Sequence, residues 1–130
     1  EIVERTDAII AKLREAMTSA PDNGASDARI AAGIAADQID RAVDMYRIAQ
    51  DTPAYGPYLD GYGFYHAGKT AFEAQEAAIE SELPEAAARI REALALLAVA
   101  YPSAEPQESY PVNRAELNTA STQATLAVLR

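Results

Sequence analysis

Three glutamates in this 130-residue chain are spaced so that a helix would bring their carboxylates together. Glu73, Glu76 and Glu80 follow one another at steps of three and four, which places them on one helix face within two turns. Their like charges repel, and a hard cation held between them would offset that repulsion. Carboxylate oxygens suit Mg, Ca, Mn and iron. The spacing therefore predicts a metal site, the alternative being a solvated face neutralised by a nearby lysine or arginine.

The only histidine of the chain, His66, is a second candidate ligand. It lies seven residues before Glu73, which is about 10 Å along a helix. The two residues could share one ion only with a bend in the helix or with help from another helix. Carboxylate-bridged di-iron bundles use a Glu-x-x-His pattern, and the chain contains no such pattern, which disfavours a ferritin-like oxidase centre. The alternative role for His66 is that of a surface or capping residue.

A segment rich in tyrosine and glycine precedes the acidic row. Its tyrosines follow one another at steps of three, four and three, the spacing of one helix face, although each glycine costs a helix about 1 kcal/mol. Either the glycines let another helix pack closely, or residues 54–63 form a loop and the helix begins near Phe64. Tyr58 and Tyr62 would line or order the acidic site, with core packing as the alternative. The residues concerned are Tyr55, Tyr58, Tyr62 and Tyr65, with Gly56, Gly61, Gly63 and Gly68.

The elements that must position these residues are helices. Apolar residues recur with helical spacing, and they predict helices at about 1–20, 27–50, 57–81, 84–101 and from 114 onward. Ser26 or Asp27 caps the second of these, and Asn113 with Glu116 forms a capping box at the last. Three prolines make residues 102–111 a loop, and no strand pattern appears. We predict one all-α domain over residues 1–130, an antiparallel bundle of four to five helices.

The predicted helix over residues 57–81 carries the tyrosines and Glu76 on a single stripe that continues to Leu83. Because this stripe is expected to face the core, Glu76 should be buried, and a buried carboxylate needs a partner. Asp37, Asp40 and Asp44 repeat the acidic spacing on the preceding helix. Arginines three or four residues away could neutralise them. The two acidic rows could also face each other across neighbouring helices.

Composition and charge exclude several functions. The net charge of −9 makes nucleic acid a poor partner and favours cations or basic proteins. The absence of cysteine excludes disulfides, thiolate metal sites and cysteine nucleophiles. No Ser-His-Asp motif or phosphate-binding glycine loop occurs, so we do not expect an enzyme. No apolar run is long enough to predict a membrane span.

The central part of the chain, about residues 36–106, resembles the extracytoplasmic helical region attached to bacterial high-affinity iron permeases. That family handles iron before the membrane permease takes it. Asp60 matches the family's Tyr-x-Asp-Gly-aromatic segment and is implied as a ligand, whereas Gly63 stands where related segments carry a glutamate. The glutamate motif of the permease's membrane helices is absent. The similar segments are Tyr58-Leu-Asp-Gly-Tyr62, Glu76-Ala-Ala-Ile79, the helix with Ile90 and Leu94, and Ala100-Tyr-Pro-Ser-Ala-Glu-Pro106.

A weaker resemblance connects the chain with imelysin-like periplasmic iron-associated proteins. Gly63-Phe-Tyr-His66-Ala-Gly-Lys69 matches half of their Gly-x-His-x-x-Glu hallmark. Because the chain begins at Glu1 on a helical pattern, we expect an excised or mature domain. The resemblances to these iron-associated proteins imply a periplasmic or otherwise extracytoplasmic location.

The combined prediction is a helical domain of an iron-uptake system that binds iron or another divalent or trivalent cation without catalysis. Its expected partners are a metal ion, a membrane iron permease and a second copy of the chain. The alternative is a ligand-sensing or protein-interaction bundle without metal, in which the tyrosine-glycine segment is a helix crossing or a dimer contact. The predicted metal ligands are Glu73, Glu76, Glu80, His66 and Asp60.

Overall fold

The computed structural model describes residues 26–52, 55–105 and 107–130, which form five helices. The helix predicted at residues 1–20 and the turn after it lie outside these residues. No strand occurs in the described stretches, and the helices pack together, which confirms the all-α prediction. The helices are α1 (Asp27–Asp51), α2 (Tyr55–Ala74), α3 (Glu76–Glu82), α4 (Pro84–Ala100) and α5 (Arg114–Leu129).

Contacts at the helix ends show that α1 and α5 are antiparallel. Asp51, the last residue of α1, pairs with Arg114, the first residue of α5, at 2.7 Å. At the other end, the guanidinium group of Arg29 donates a hydrogen bond of 2.6 Å to the carbonyl of Val128. Ion pairs and hydrogen bonds thus fix both ends of this helix pair.

The remaining long helices continue the alternation of direction. Tyr101, which follows α4, contacts Gly61 near the start of α2, whereas Arg91 in the middle of α4 lies over Phe72 near the end of α2. These two helices are therefore antiparallel, and the short helix α3 connects them. The most extensive interface is that between α1 and α2. None of the helices described combines the length and the apolar character needed to cross a bilayer.

Capping residues set the helix starts as the sequence predicts. The hydroxyl of Ser26 accepts a hydrogen bond of 3.1 Å from the amide of Arg29. The side chain of Asn113 accepts one of 3.0 Å from the amide of Glu116. Each cap satisfies an amide that has no partner within its own helix. Ser26, rather than Asp27, is the cap of α1.

The single helix predicted over residues 57–81 is wrong, because the chain breaks at Gln75. This residue leaves the helical conformation with φ −129° and ψ 22°, and its amide bonds to the carbonyl of Phe72 at 3.1 Å. The break starts a new helix, α3, in which Ile79 is fully buried. The interpretation of residues 54–63 as a loop is also wrong, since α2 begins at Tyr55.

The core changes character along the bundle. Alanines line the helix contacts throughout, and small side chains let helix axes approach closely. Around them Ile39, Ile79, Ile90 and Leu97 fill the interior. At one end the core is aromatic instead, with Tyr46, Tyr58 and Tyr101 buried together. This aromatic end is where α1, α2 and the C-terminus of α4 meet.

The close approach at this end depends on Gly61. A methyl group at that position would overlap the hydroxyl of Tyr101 and lie 2.9 Å from the Cβ atom of Met45. The Tyr101 hydroxyl occupies this space because it donates a hydrogen bond of 2.7 Å to the carbonyl of Ala42 on α1. Gly61 is therefore needed for close packing, as the first of the two alternatives for the glycines predicts.

Replacing Gly61 by alanine should destabilise the bundle. The added methyl group must displace Tyr101 or push α2 away from α1, and overpacking of this kind costs about 1–3 kcal/mol. Urea unfolding followed by circular dichroism measures this loss as a lower midpoint at unchanged helix content.

Gly33→Ala is the matched control for that substitution. Among the described residues, nothing beyond the adjoining helix backbone lies within 4 Å of a methyl group added at this position, which is in the first half of α1. Alanine should therefore raise the free energy of unfolding by up to about 1 kcal/mol through its better helix propensity. Equal stability of Gly61→Ala and the unmodified protein would contradict the packing assigned to Tyr101.

Candidate functional site

The helix break divides the predicted acidic row. Glu73 is the penultimate residue of α2, whereas Glu76 and Glu80 belong to α3. The carboxylates of Glu76 and Glu80 bind one guanidinium group, that of Arg91 on α4. Its distances to their oxygen atoms are 3.1 Å for Glu76 and 2.5 Å for Glu80. An arginine thus neutralises this part of the row, as the alternative to a metal site predicts.

The expectation that Glu76 is buried is wrong. Its side chain remains 45 % exposed at the edge of the bundle. The break at Gln75 ends the stripe of α2 after Phe72, and α3 starts a new orientation in which Ile79 is the residue that enters the core. Solvent and Arg91 together stabilise the carboxylate, so no buried cation is required there.

Arg91 holds α3 in place through two kinds of contact. Its guanidinium group lies 5.5 Å from the ring centroid of Phe72 while it binds the carboxylates of Glu80 and Glu76. These two carboxylates raise the pKa of Arg91 above its ordinary value. A single side chain of α4 therefore contacts both the end of α2, through Phe72, and α3, through Glu76 and Glu80.

The other predicted ligands do not join this cluster. Asp60 and Glu73 are exposed on α2, and neither forms an ion pair with another described residue. Among the residues described, no three histidine, aspartate or glutamate side chains are grouped closely enough to hold a metal ion. Metal binding at the five predicted ligands stays a prediction that a titration must test.

His66 lies on the surface of α2 between aromatic rings. Its ring centroid is 4.4 Å from that of Tyr62 and 4.9 Å from that of Tyr65. Partial burial and, to a smaller extent, the charge of Lys69 lower its pKa below the ordinary value of 6.5. The imidazole is therefore mostly neutral near pH 7, the form that can ligate a metal ion.

Arginines of α1 pair with two of the three aspartates in its acidic row. Asp37 pairs with Arg41 at 2.9 Å, and Asp44 pairs with Arg47 at 3.6 Å. Asp40 instead accepts a hydrogen bond of 3.1 Å from the hydroxyl of Ser121 on α5. These contacts confirm the prediction that nearby arginines offset the charge.

The aspartates and the glutamates do not face each other. Gly61 lies against Met45, and Gly68 lies against Gln38 and its neighbours, as expected for antiparallel helices in contact. Continuing this register past Gly68 places Glu73 level with the first turns of α1, before Asp37. An oxygen-rich site between the two rows therefore does not form in the described residues.

The two tyrosines expected to line the acidic site lie away from Arg91 and its glutamates. Tyr58 is fully buried at the aromatic end, on the order of 25 Å along α2 from the break at Gln75. Its hydroxyl donates a hydrogen bond of 2.6 Å to the carbonyl of Ser103. Tyr62 is partly buried against the core and contacts His66. Tyr58 thus binds the loop between α4 and α5.

This loop crosses the aromatic end of the bundle, and we call it the strap (residues 102–105 and 107–112). Gln50 on α1 donates hydrogen bonds to the carbonyls of Tyr110 and Val112 at 2.9 and 3.0 Å. The hydroxyl of Tyr46 accepts one of 3.1 Å from the amide of Val112. The ring of Tyr110 packs edge-on against Tyr46, with centroids 5.7 Å apart. The strap is therefore anchored at several points along its length.

Sequence reasoning missed the residues that form these contacts. The prolines identify residues 102–111 as a loop, but no local pattern connects Tyr46 and Gln50 with a segment about 60 residues later. No local pattern predicts a role for Arg91 either, because its partners Glu76 and Glu80 lie on a different helix. The only sequence signal was the presence of Tyr101 and Tyr110 near the two ends of the loop.

The buried tyrosines give the molecule a specific response to alkali. Burial raises the pKa values of Tyr101, Tyr46 and Tyr58 above 10. An unfolded tyrosine ionises near pH 10. Stability from the protonated hydroxyls is thus fully present below about pH 10 and is lost as the pH rises further, since only the unfolded chain releases its protons.

The urea midpoint should accordingly fall steeply above about pH 10. In a pH titration followed by tyrosinate absorbance, the buried tyrosines should ionise last, at the pH at which the protein unfolds. Tyr101→Phe should make this decline with pH shallower, although it also lowers stability at pH 7 by about 1 kcal/mol through the lost hydrogen bond. Ionisation of all seven tyrosines in one phase while the helices remain intact would contradict the assignment.

No protein-family model, curated protein or solved structure matches this chain. The resemblances to the iron-permease region and to imelysin-like proteins therefore stay predictions.

Proposed function

We propose that this domain is a protein-interaction bundle, the non-metal alternative, and that its recognition surface is the end covered by the strap. The observation that carries the proposal is the exposure of large apolar side chains at that end. Tyr55 and Leu59 at the start of α2 are 40 % and 41 % exposed, and Val99 at the end of α4 is 65 % exposed. Contiguous apolar patches that are rimmed by polar residues mark binding surfaces.

Acidic residues accompany these apolar side chains. Asp60 is exposed beside Leu59, and Glu105 and Glu108 are exposed on the strap. The chain as a whole has a net charge of −9. Two copies of this end would repel each other, whereas a basic partner would be attracted to it over long range. The chemistry favours a partner that combines basic and apolar side chains.

The anchoring of the strap supports a recognition role. Long loops without secondary structure are often binding elements, and a loop that is already ordered loses less entropy when a partner binds. Tyr55 and Tyr58 hold its first half through the carbonyls of Ala104 and Ser103. Gln50 holds its second half. The surface is thus presented in a defined shape.

Geometry gives the metal-binding function less support. Arg91 already neutralises Glu76 and Glu80, and the described residues contain no cluster of three ligands. Iron handling in an extracytoplasmic uptake system remains a prediction of the resemblance. A cation bound at the predicted ligands would have to displace the guanidinium group of Arg91.

Site-specific photocrosslinking should locate the partner. A photoreactive amino acid at Leu59 should crosslink, in cells that naturally express the protein, to a defined partner with basic surface residues. The same amino acid at Thr119, which is exposed on α5, is the matched control and should give no such product. Identical products at both positions, or none at either, would count against recognition by the strap end.

Thermal melts separate the two functions. The ions to be tested are ferrous, ferric, zinc and copper. If the domain bound one of them with a micromolar dissociation constant, an ion concentration 100 times higher would raise its free energy of unfolding by about 2.7 kcal/mol. We expect no ion to shift the melting temperature of the unmodified protein or of Glu76→Gln. A shift that Glu76→Gln abolishes would favour the metal-binding function over the interaction bundle.

A further inference from the structure

The first half of the strap is attached to the bundle by two tyrosine hydroxyls. Tyr58 donates to the carbonyl of Ser103 at 2.6 Å, and Tyr55 donates to the carbonyl of Ala104. Gln107 donates a further hydrogen bond of 3.0 Å to the carbonyl of Ala100 at the end of α4. Pro102, Ser103 and Glu105 are themselves exposed. This half is therefore held mainly by polar contacts.

The second half is attached to α1 by a similar arrangement. Gln50 and Tyr46 bond to the backbone of Tyr110 and Val112, and the ring of Tyr110 lies 5.4 Å from that of Tyr58, measured between centroids. Tyr110 and Val112 are only partly buried against the core. Their contribution of buried apolar surface is thus small compared with that of the helices.

One polar atom near the strap lacks a hydrogen bond. The side-chain oxygen of Gln50 is buried and has no hydrogen-bond partner among the residues that the structure describes. A buried unpaired oxygen costs free energy that contact with water would recover. Lifting the strap would expose Gln50 to solvent, so part of the cost of breaking its two hydrogen bonds is returned.

We propose that the strap is a latch that opens as a unit while the helix bundle stays folded. Its ends remain fixed, since Tyr101 is buried with its hydroxyl bonded to Ala42, and Asn113 caps α5. Opening removes Tyr110 from the faces of Tyr46 and Tyr58. The open form therefore presents an aromatic surface that the closed form covers. This device does not depend on the proposed recognition function.

Local opening is expected wherever backbone hydrogen bonds are solvent-accessible and few apolar contacts hold a segment. The strap fits this description, because its hydrogen bonds are exposed or only partly buried and few apolar contacts hold it, whereas α1 and α4 are lined by fully buried residues such as Ile39 and Leu97. Opening of the strap breaks none of the contacts between these helices. The free energy of opening should thus lie well below that of global unfolding.

Amide hydrogen exchange resolved by NMR tests the latch. The amide of Val112 bonds to the hydroxyl of Tyr46 and reports the closed strap, and the amide of Ile39 reports the core. We expect Val112 to exchange faster than Ile39 and with almost no dependence on urea concentration. The proposal would be overturned if the two amides exchanged with the same free energy of opening and if that free energy depended equally on urea concentration.

Two substitutions sharpen this test. Tyr58→Phe and Gln50→Leu each remove hydrogen bonds to the strap and should speed Val112 exchange roughly fivefold or more relative to Ile39 in the same sample. Tyr62→Phe is the matched control, because it removes the same hydroxyl from the same helix at a side chain that contacts His66 rather than the strap. If all three variants change the exchange rates of Val112 and Ile39 by the same factor, the strap unfolds together with the core and the proposal is wrong.

Discussion

The position of the Tyr101 hydroxyl is the constraint on which the aromatic end of this bundle depends. It lies in the space that a side chain at position 61 would occupy, and it bonds to the carbonyl of Ala42. One polar atom thereby sets the distance between α1 and α2 and fixes the C-terminus of α4 against both. The ring supports Tyr46 and Tyr58, which in turn hold the strap. Since all these contacts share one ring, three helices meet at Tyr101, and the strap lies over the tyrosines that pack against it.

Most side chains that could perform chemistry are used within the fold. Arg91 binds two glutamates, Arg41 and Arg47 neutralise aspartates on their own helix, and several tyrosine hydroxyls bond to backbone atoms. Exposed ion pairs of this kind contribute little to stability, but they leave few cationic groups free among the described residues. What the strap end offers to other molecules is accordingly shape, apolar surface and negative charge.

Local patterns in the sequence were sufficient for the architecture. Apart from the break at Gln75, periodicity located the helices of the described residues, the caps at Ser26 and Asn113 marked two of their starts, and the prolines located the strap. The same patterns failed where distant residues decide the outcome. The stripe from Tyr55 to Leu83 is continuous in sequence, yet the chain breaks at Gln75 so that Ile79 can enter the core and α3 can bind Arg91. Helical spacing showed that Glu76 and Glu80 are neighbours, but not that one arginine of α4 would bind both. Contacts between residues that are distant in the sequence produce no periodic pattern in it, so they cannot be predicted from helical spacing.

The contact between Gly61 and Tyr101 also has an evolutionary consequence. The glycine matters as empty space, and the hydroxyl of the tyrosine fills that space. A larger residue at position 61 is tolerable when a smaller one at position 101 vacates that space. Homologous chains should then vary at these two positions together, although 40 residues separate them. Such paired variation would distinguish true relatives of this bundle from chains that merely share its alanine-rich helical composition.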